Sequence, residues 1–269
     1  MVRVEIDNIE FSHGESKILH DISFAVESGE VFLLLGPNGS GKTTLLDCIL
    51  GALPLNAGRI SLNGSITSSF RPGALARFIS YVPQRHESGF PYTVLQMVMM
   101  GRAAYTGLFS SPKPADRDIA EAAIDAVGIS HLKKRPYTRL SGGEGQLVLM
   151  ARALAQNTPI ILMDEPTAHL DFKNELLVLE TIARLVKERQ LSVIMATHFP
   201  NHAFFFENNA VPITVALLKQ GRLIEKGTPE KVLREELIES VYGVHAEIIS
   251  FQTGRQNGRK QVVPIRTVT

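Results

Sequence analysis

Val2, Val4 and Ile6 alternate with polar residues, the period-two pattern of a strand with one buried face, and Ile22, Phe24 and Val26 repeat it. Val31 to Leu35 differs, being an unbroken apolar run that ends in Gly-Pro-Asn-Gly. Ile160 to Met163 and Val193 to Ala196 are similar runs, each followed by polar residues. Strands apolar on both sides are buried on both faces, which predicts a parallel sheet covered by helices. Two covering helices show in the same pattern. Leu45, Leu46, Ile49, Leu50 and Leu53 share one stripe before Pro54, and Leu179, Ile182, Leu185 and Val186 share another.

From about Pro91 to Asn157 the strand signal disappears. Thr93 is placed to cap a Met-rich segment that runs to Arg102, Asp116 to Val127 reads as a helix closed by Gly128, and Gly143 to Gln156 as the next helix. Ser110 to Pro114 reads as a loop. A helical insertion inside an α/β core is therefore expected. Thr228-Pro229 starts a late helix, and the polar, basic chain after about Gly254 reads as a frayed tail.

Composition removes several function classes. Lys+Arg 28 against Asp+Glu 27 leaves a net charge of +1, so no global field attracts nucleic acid or anionic lipid. The single cysteine, Cys48, excludes an intrachain disulfide framework and fits a reducing compartment. The segment Met1 to Glu10 has no apolar core of signal-peptide length. No run of roughly 18 uncharged apolar residues occurs, and the longest candidate, around Val211 to Leu218, is too short to cross a bilayer. If the chain works at a membrane, another protein spans it.

The chemistry begins at Gly36-Pro37-Asn38-Gly39-Ser40-Gly41-Lys42-Thr43, between an apolar strand and an amphipathic helix, with Thr44 next along that helix. It matches the phosphate loop G-x-x-x-x-G-K-[ST]. Glycines let backbone N–H groups close around phosphate oxygens, and the following helix points its positive end at the same anion. Lys42 supplies a point charge for the β- and γ-phosphates and Thr43 a hydroxyl for magnesium. Ile160-Ile161-Leu162-Met163-Asp164-Glu165 is a buried strand with adjacent carboxylates at its tip. Asp164 is suited to hold the magnesium water shell and Glu165 to accept a proton from attacking water, though alternation along a strand need not face both acids the same way. Leu140-Ser141-Gly142-Gly143-Glu144-Gly145-Gln146 stands before a helical run and offers a second anion-binding loop, or an ordinary capped one.

Together these motifs resemble the nucleotide-binding subunit of an ATP-binding cassette (ABC) transporter over nearly the whole chain. The phosphate loop, the Leu140 to Glu144 signature and the Ile160 to Glu165 Walker B segment have that family's order and spacing. The resemblance implies a P-loop NTPase core, α/β with a mostly parallel sheet, an N-terminal antiparallel β region and an inserted helical subdomain. Its parts are expected at 1–90 (antiparallel region and first part of the core), 91–157 (helical signature subdomain), 158–227 (second part of the core) and 228–269 (C-terminal helix and tail). Gln84, in Tyr81-Val82-Pro83-Gln84, matches the glutamine loop, which touches magnesium and senses the transmembrane partner. Ala168-His169-Leu170-Asp171 matches the D-loop, and His198 the switch histidine that contacts the γ-phosphate. Outside that frame, Gln84 reads as a polar loop residue and His198 as a capping histidine. The family often stacks adenine on a tyrosine where this chain has Phe11-Ser12-His13-Gly14, so His13 takes that place while Phe11 belongs to the core by strand alternation. His86, His131 and His245 have no partner at metal-ligand spacing and read as surface residues.

The resemblance further implies ATP and Mg2+ as ligands and a head-to-tail homodimer. Lys42, Thr43, Gln84, Asp164, Glu165 and His198 of one chain then face Ser141, Gly142, Gly143 and Glu144 of the other, with Asp171 beside them. Thr93-Val94-Leu95, Met97 to Arg102 and Thr197 to Ala203 resemble importers of iron chelates, haem, cobalamin and molybdate. That group pairs two such subunits with integral-membrane permeases and an extracytoplasmic binding protein, placing this chain peripherally on the cytoplasmic face. Pro91 to Arg102 with the Gln84 loop is expected to receive a permease helix, and iron–siderophore is the first choice of cargo. A soluble ABC-type ATPase of repair or translation is the main alternative, but it usually carries two cassettes or a long coiled coil, and neither is visible. A P-loop small-molecule kinase has no use for the Leu140 to Glu144 segment.

Overall fold

Alternation buries Val4 and Ile6 on one face of β1 (Val4–His13), an irregularity at Asn8 (φ +50°) shifts the phase by one so that Ile9 and Phe11 are buried as well, and Ile22, Phe24 and Val26 are buried on β2 (Ser16–Val26), which pairs with it antiparallel. The computed structural model describes residues 2–84, 90–106, 112–253 and 256–268. β3 (Val31–Leu35) is buried at every position and leads through the glycine-rich loop into α1 (Lys42–Leu50). β4 (Ala57–Leu62) returns to pair with β1, and β5 (Ser65–Ile66) completes an antiparallel sheet of order β2-β1-β4-β5. A short α2 (Pro72–Leu75) precedes β6 (Ile79–Val82).

Helices then take over. Thr93 caps α3 (Val94–Met99) reciprocally, accepting from the Gln96 amide while its own N–H donates to the Gln96 side chain, and a 3-10 turn continues to Tyr105. α4 (Pro114–Ala126) carries proline in its first turn and closes at Val127, with Gly128 at φ +78°. α5 (Gly142–Ala155) follows Ser141. Both helices begin slightly earlier than their apolar stripes suggest, because proline and glycine enter a first turn without adding to the stripe. Ser110 and Ser111 of the expected loop lie outside the described residues, and Pro112 and Lys113 are irregular. Arg102 ties the three helices together: it is buried, donates to Asp116 at 2.9 Å and to the Ala155 carbonyl at 2.8 Å, and lies over the Tyr105 ring.

The α/β core resumes with β7 (Ile160–Asp164), α6 (Phe172–Arg189), β8 (Ser192–Thr197), α7 (Asn201–Asn208), β9 (Ile213–Lys219) and β10 (Arg222–Gly227). The six-stranded sheet has order β10-β9-β3-β8-β7-β6 and is parallel except at β10. β3 sits inside it with both faces covered: Phe32 and Leu34 pack toward α1 and the antiparallel sheet, Val31, Leu33 and Leu35 toward the other helices. Pairing of Leu35 with Thr197, Asp164 with Ala196 and Val82 with Met163 brings the carboxyl ends of β3, β8, β7 and β6 to one edge. Ligands bind at that edge of open α/β sheets.

The C-terminus corrects one expectation. After α8 (Pro229–Val232) and α9 (Glu235–Tyr242), β11 (Val244–Thr253) and β12 (Gln256–Thr267) form a hairpin in place of a frayed tail, with Val244 opposite Thr267. The basic residues of β12 hid its apolar positions. Val262 is buried, and the Asn201 amide pairs with it both ways, donating to its carbonyl at 3.1 Å and accepting from its N–H at 2.8 Å. A side chain of α7 thus docks the outer strand.

Candidate functional site

The loop between β3 and α1 leaves no room for side chains where it turns. A Cβ on Gly36 would stand 2.3 Å from the Leu218 carbonyl oxygen, and Gly39 and Gly41 hold φ of +77° and +99°. Ser40 bonds back to Pro37 at 3.2 Å, while Asn38 lies exposed at the tip. The first-turn amides of α1, from Lys42 through Thr44, have no carbonyl within the helix to bond. They and the loop form a cradle of donors.

Lys42 is buried, and its Nζ donates to the Gly36 and Pro37 carbonyls at 2.9 and 3.0 Å while lying 3.5 Å from Glu165 Oε1. Burial lowers the pKa of this amine, opposed by the charges of Glu165 and Asp164. Asp164 ends β7 and is 4% exposed. Thr43 Oγ1 donates to its Oδ2 at 2.8 Å, whereas its Oδ1 has no hydrogen-bond partner among the described residues. Burial raises the pKa of this carboxyl, the Thr43 bond pulling the other way. A buried orphan carboxylate oxygen next to a hydroxyl is a set of hard oxygen donors that fits Mg2+ with part of its water shell.

The two acids diverge because the strand ends in a left-handed residue. Glu165 has φ +44°, and its N–H returns to the Ala196 carbonyl at 3.0 Å. That turn aims its carboxylate away from Asp164 and into a ring of predicted residues. Gln84 Nε2 donates to Oε2 at 3.4 Å, His198 Nδ1 lies 3.1 Å from the same oxygen, and Lys42 approaches Oε1. Four loops from four strands thus meet on one carboxylate. Next to a cradle for phosphates, this arrangement can polarise water against a terminal phosphoryl group.

Ser141, Gly142, Gly143, Glu144 and Asp171 gather elsewhere. The Ser141 hydroxyl accepts from the Glu144 N–H at 3.3 Å, and the Ser141 N–H donates to Glu144 Oε2 at 2.8 Å. That backbone bond holds the Glu144 carboxyl below its ordinary pKa. Asp171 uses both carboxylate oxygens on Asn174, capping α6. A Cβ on Gly143 would stand 2.4 Å from Asn174 Cγ, so the glycine lets α5 and α6 meet. No described hydrogen bond or ion pair joins this cluster to the cradle. His13 lies exposed at the end of β1, its ring edge-on to buried Phe11 at 5.6 Å between centroids. His131 is exposed and His245 lies 3.2 Å from Glu239; His86 lies outside the described residues.

Two neighbours of the site received no role from the sequence. Tyr242, at the end of α9, is pushed to a higher pKa by burial and then by the Glu165 charge. No local pattern marks a tyrosine so far along the chain. His202 is buried beside the His198 turn; in the sequence it falls within the Thr197 to Ala203 stretch, where the resemblance assigned a role to His198 alone.

Residues 19–168 match the family described as ABC transporter. An uncharacterised ABC transporter ATP-binding protein of Haemophilus influenzae is 39% identical over 91% of this chain and 91% of its own length. The iron(3+)-hydroxamate import ATP-binding protein of Bacillus subtilis is 31% identical, over 93% of this chain and 91% of its own. Among solved structures, a metal-chelate type ABC transporter in an inward-facing conformation superposes with a TM-score of 0.86 at 30% identity, covering 99% of this chain and 98% of that one.

Proposed function

The chain belongs to the ABC transporter family as an ATP-binding subunit, an ATPase coupled to transport, and on that premise we propose that two copies close head to tail on ATP to power import of an iron–siderophore or related metal chelate. The observation that carries this reading is the division of the site. Glu165 gathers Lys42, Gln84 and His198 at the cradle, while Ser141 to Glu144 form a separate helix start that no hydrogen bond or ion pair among the described residues joins directly to it. One chain therefore presents a cradle and, apart from it, a lid.

In this reading Gly36 to Thr44 bind the triphosphate, which draws the Lys42 ammonium off the loop carbonyls. Glu165 takes a proton from the attacking water and His198 contacts the γ-phosphate. Thr43, Asp164 and Gln84 would hold Mg2+, which when bound neutralises charge on the β- and γ-phosphates. Ser141, Gly142, Gly143, Glu144 and Asp171 close over the partner's nucleotide, and the exposed His13 stacks on adenine. A triphosphate between subunits is tolerated only while donors from both sides neutralise it, so hydrolysis reopens the pair.

No helix among the described residues is long and apolar enough to cross a membrane, so permease subunits supply the span. Of the Pro91 to Arg102 segment expected to receive a permease helix, only Met100 and Gly101 line a cavity of about 1000 Å3 that opens where the antiparallel sheet meets the helical segment; Gln84 does not line it, and Leu53, Phe70, Tyr81 and Arg152 do, so the helix site extends toward the antiparallel sheet. The chain then sits on the cytoplasmic face, and cargo delivered by an extracytoplasmic binding protein never touches it. Coexpression with a candidate integral-membrane permease tests this directly. A detergent-stable complex with nucleotide-dependent ATPase activity is expected; retention on ribosomes or DNA with no membrane partner would favour a soluble ABC-type ATPase instead.

A further inference from the structure

Shortly after His198 comes another histidine, with no part in the chemistry above. His202, on the first turn of α7, is 2% exposed. Its Nε2 lies 2.8 Å from Glu175 Oε1, on the first turn of α6, and its Nδ1 lies 3.0 Å from Thr197 Oγ1. The Phe199 N–H donates to that same Thr197 oxygen at 3.2 Å. Donor arithmetic gives the run a direction. An imidazole protonated on Nε2 donates to Glu175 and leaves Nδ1 to accept from the Thr197 hydroxyl, whose oxygen accepts from Phe199, so that each donor has one acceptor.

Both ends of this run reach the hydrolysis machinery. Thr197 and Phe199 flank His198, and the His198 and Phe199 rings lie 3.9 Å apart between centroids. At the other end the Glu175 N–H donates to the Asp171 carbonyl at 2.8 Å, and Asp171 holds Asn174 against Gly143. Covalent neighbours and hydrogen bonds thus connect the support of the signature loop with the switch turn of the same chain. Burial alone does not require this, since a leucine would fill the space between α6 and α7.

We propose that His202 is a positioning residue for ATP hydrolysis: it locks the Thr197–Phe199 turn onto α6, holds His198 at Glu165, and so passes the placement of the Asp171 cap to the hydrolysis site. The proposal rests on the reading of His198 as the γ-phosphate contact. Substitution therefore slows turnover without weakening nucleotide capture, because the cradle residues lie on other elements.

The test is steady-state ATPase kinetics of the full chain with its permease, together with nucleotide affinity and melting temperature. His202→Gln keeps a donor for Glu175, His202→Asn keeps an acceptor for Thr197, and His202→Leu keeps neither. For His202→Leu kcat is expected to fall about 10- to 100-fold, the scale set by small misplacement of a reacting group, with KM for ATP nearly unchanged. Gln and Asn are expected to fall between Leu and the parent, and Thr197→Val, which also breaks the Thr197 bond and removes the Phe199 acceptor, to match Gln or exceed it in loss. In a His198→Ala background, His202→Leu is expected to remove nothing further from the residual rate. Unchanged kcat in folded His202 variants, or an equal loss with and without His198, would overturn the positioning role and leave a structural histidine. Should His202→Leu fail to fold, Gln, Asn and Thr197→Val decide between the same outcomes. Full turnover by His198→Ala alone would instead refute the underlying reading of the site.

Discussion

Asp164 is the residue at which stability and function pull apart. Burial raises its pKa in the folded chain above the ordinary value near 3.9. The folded state therefore holds that proton to higher pH than the unfolded chain does. The stabilisation this gives is complete below the ordinary value and is lost as pH rises through the folded one, so at neutral pH the bare carboxylate is a cost. Asp164→Asn removes that cost and keeps an acceptor for Thr43. It is expected to raise the melting temperature of the nucleotide-free protein by about 2–4 °C, the shift that ~1 kcal/mol produces in a chain approaching this size, while abolishing Mg2+-dependent hydrolysis. Calorimetry checks the first and a phosphate-release assay the second; a lower melting temperature would show that the carboxylate earns its place structurally. The residue types needed here were legible from Gly36 to Thr43 and from Ile160 to Glu165, because glycines beside a lysine and acids at a strand tip have few other uses. The divergence of Asp164 and Glu165 was not, since a left-handed φ at a glutamate has no signature in local sequence.

At the scale of elements, α5 and α6 meet at Gly143, where an added methyl group collides with the Asn174 side chain close to its backbone. Gly143→Ala must push Asn174 off Asp171, disturbing the cap of α6 and the start of the signature helix together. Overpacking of this kind typically costs about 1–3 kcal/mol. The cradle lies elsewhere, so nucleotide binding by the monomer is expected to hold while ATPase turnover collapses, which equilibrium binding and steady-state rates measure separately. Loss of binding in proportion to turnover would place the signature loop at the chain's own cradle. The strands β3, β7 and β8 and the helices α1, α4, α5 and α6 were readable because each carries an unbroken stripe or run, whereas β6, β9 and α7 were not singled out as elements. The C-terminal hairpin was not: its lysines and arginines suggested a solvated tail, and its dock onto α7 depends on Asn201, a contact between segments far apart in the chain.

For the whole molecule, sheet register converges four loop tips on one carboxylate, but no hydrogen bond or ion pair among the described residues ties the signature loop directly to them, a separation that only the folded chain reveals. Two copies repair it if each supplies the lid for the other. Glu165→Gln keeps the size and much of the hydrogen-bonding capacity of the side chain but cannot take up a proton. It is expected to bind ATP as the parent does and to lower turnover by roughly 10²- to 10⁴-fold, the span general-base catalysis provides. The most direct measurement is therefore the sedimentation mass of Glu165→Gln in saturating Mg-ATP: a dimer that reverts to monomer when ADP replaces ATP is the predicted result, and a monomer in both nucleotides would contradict the shared site.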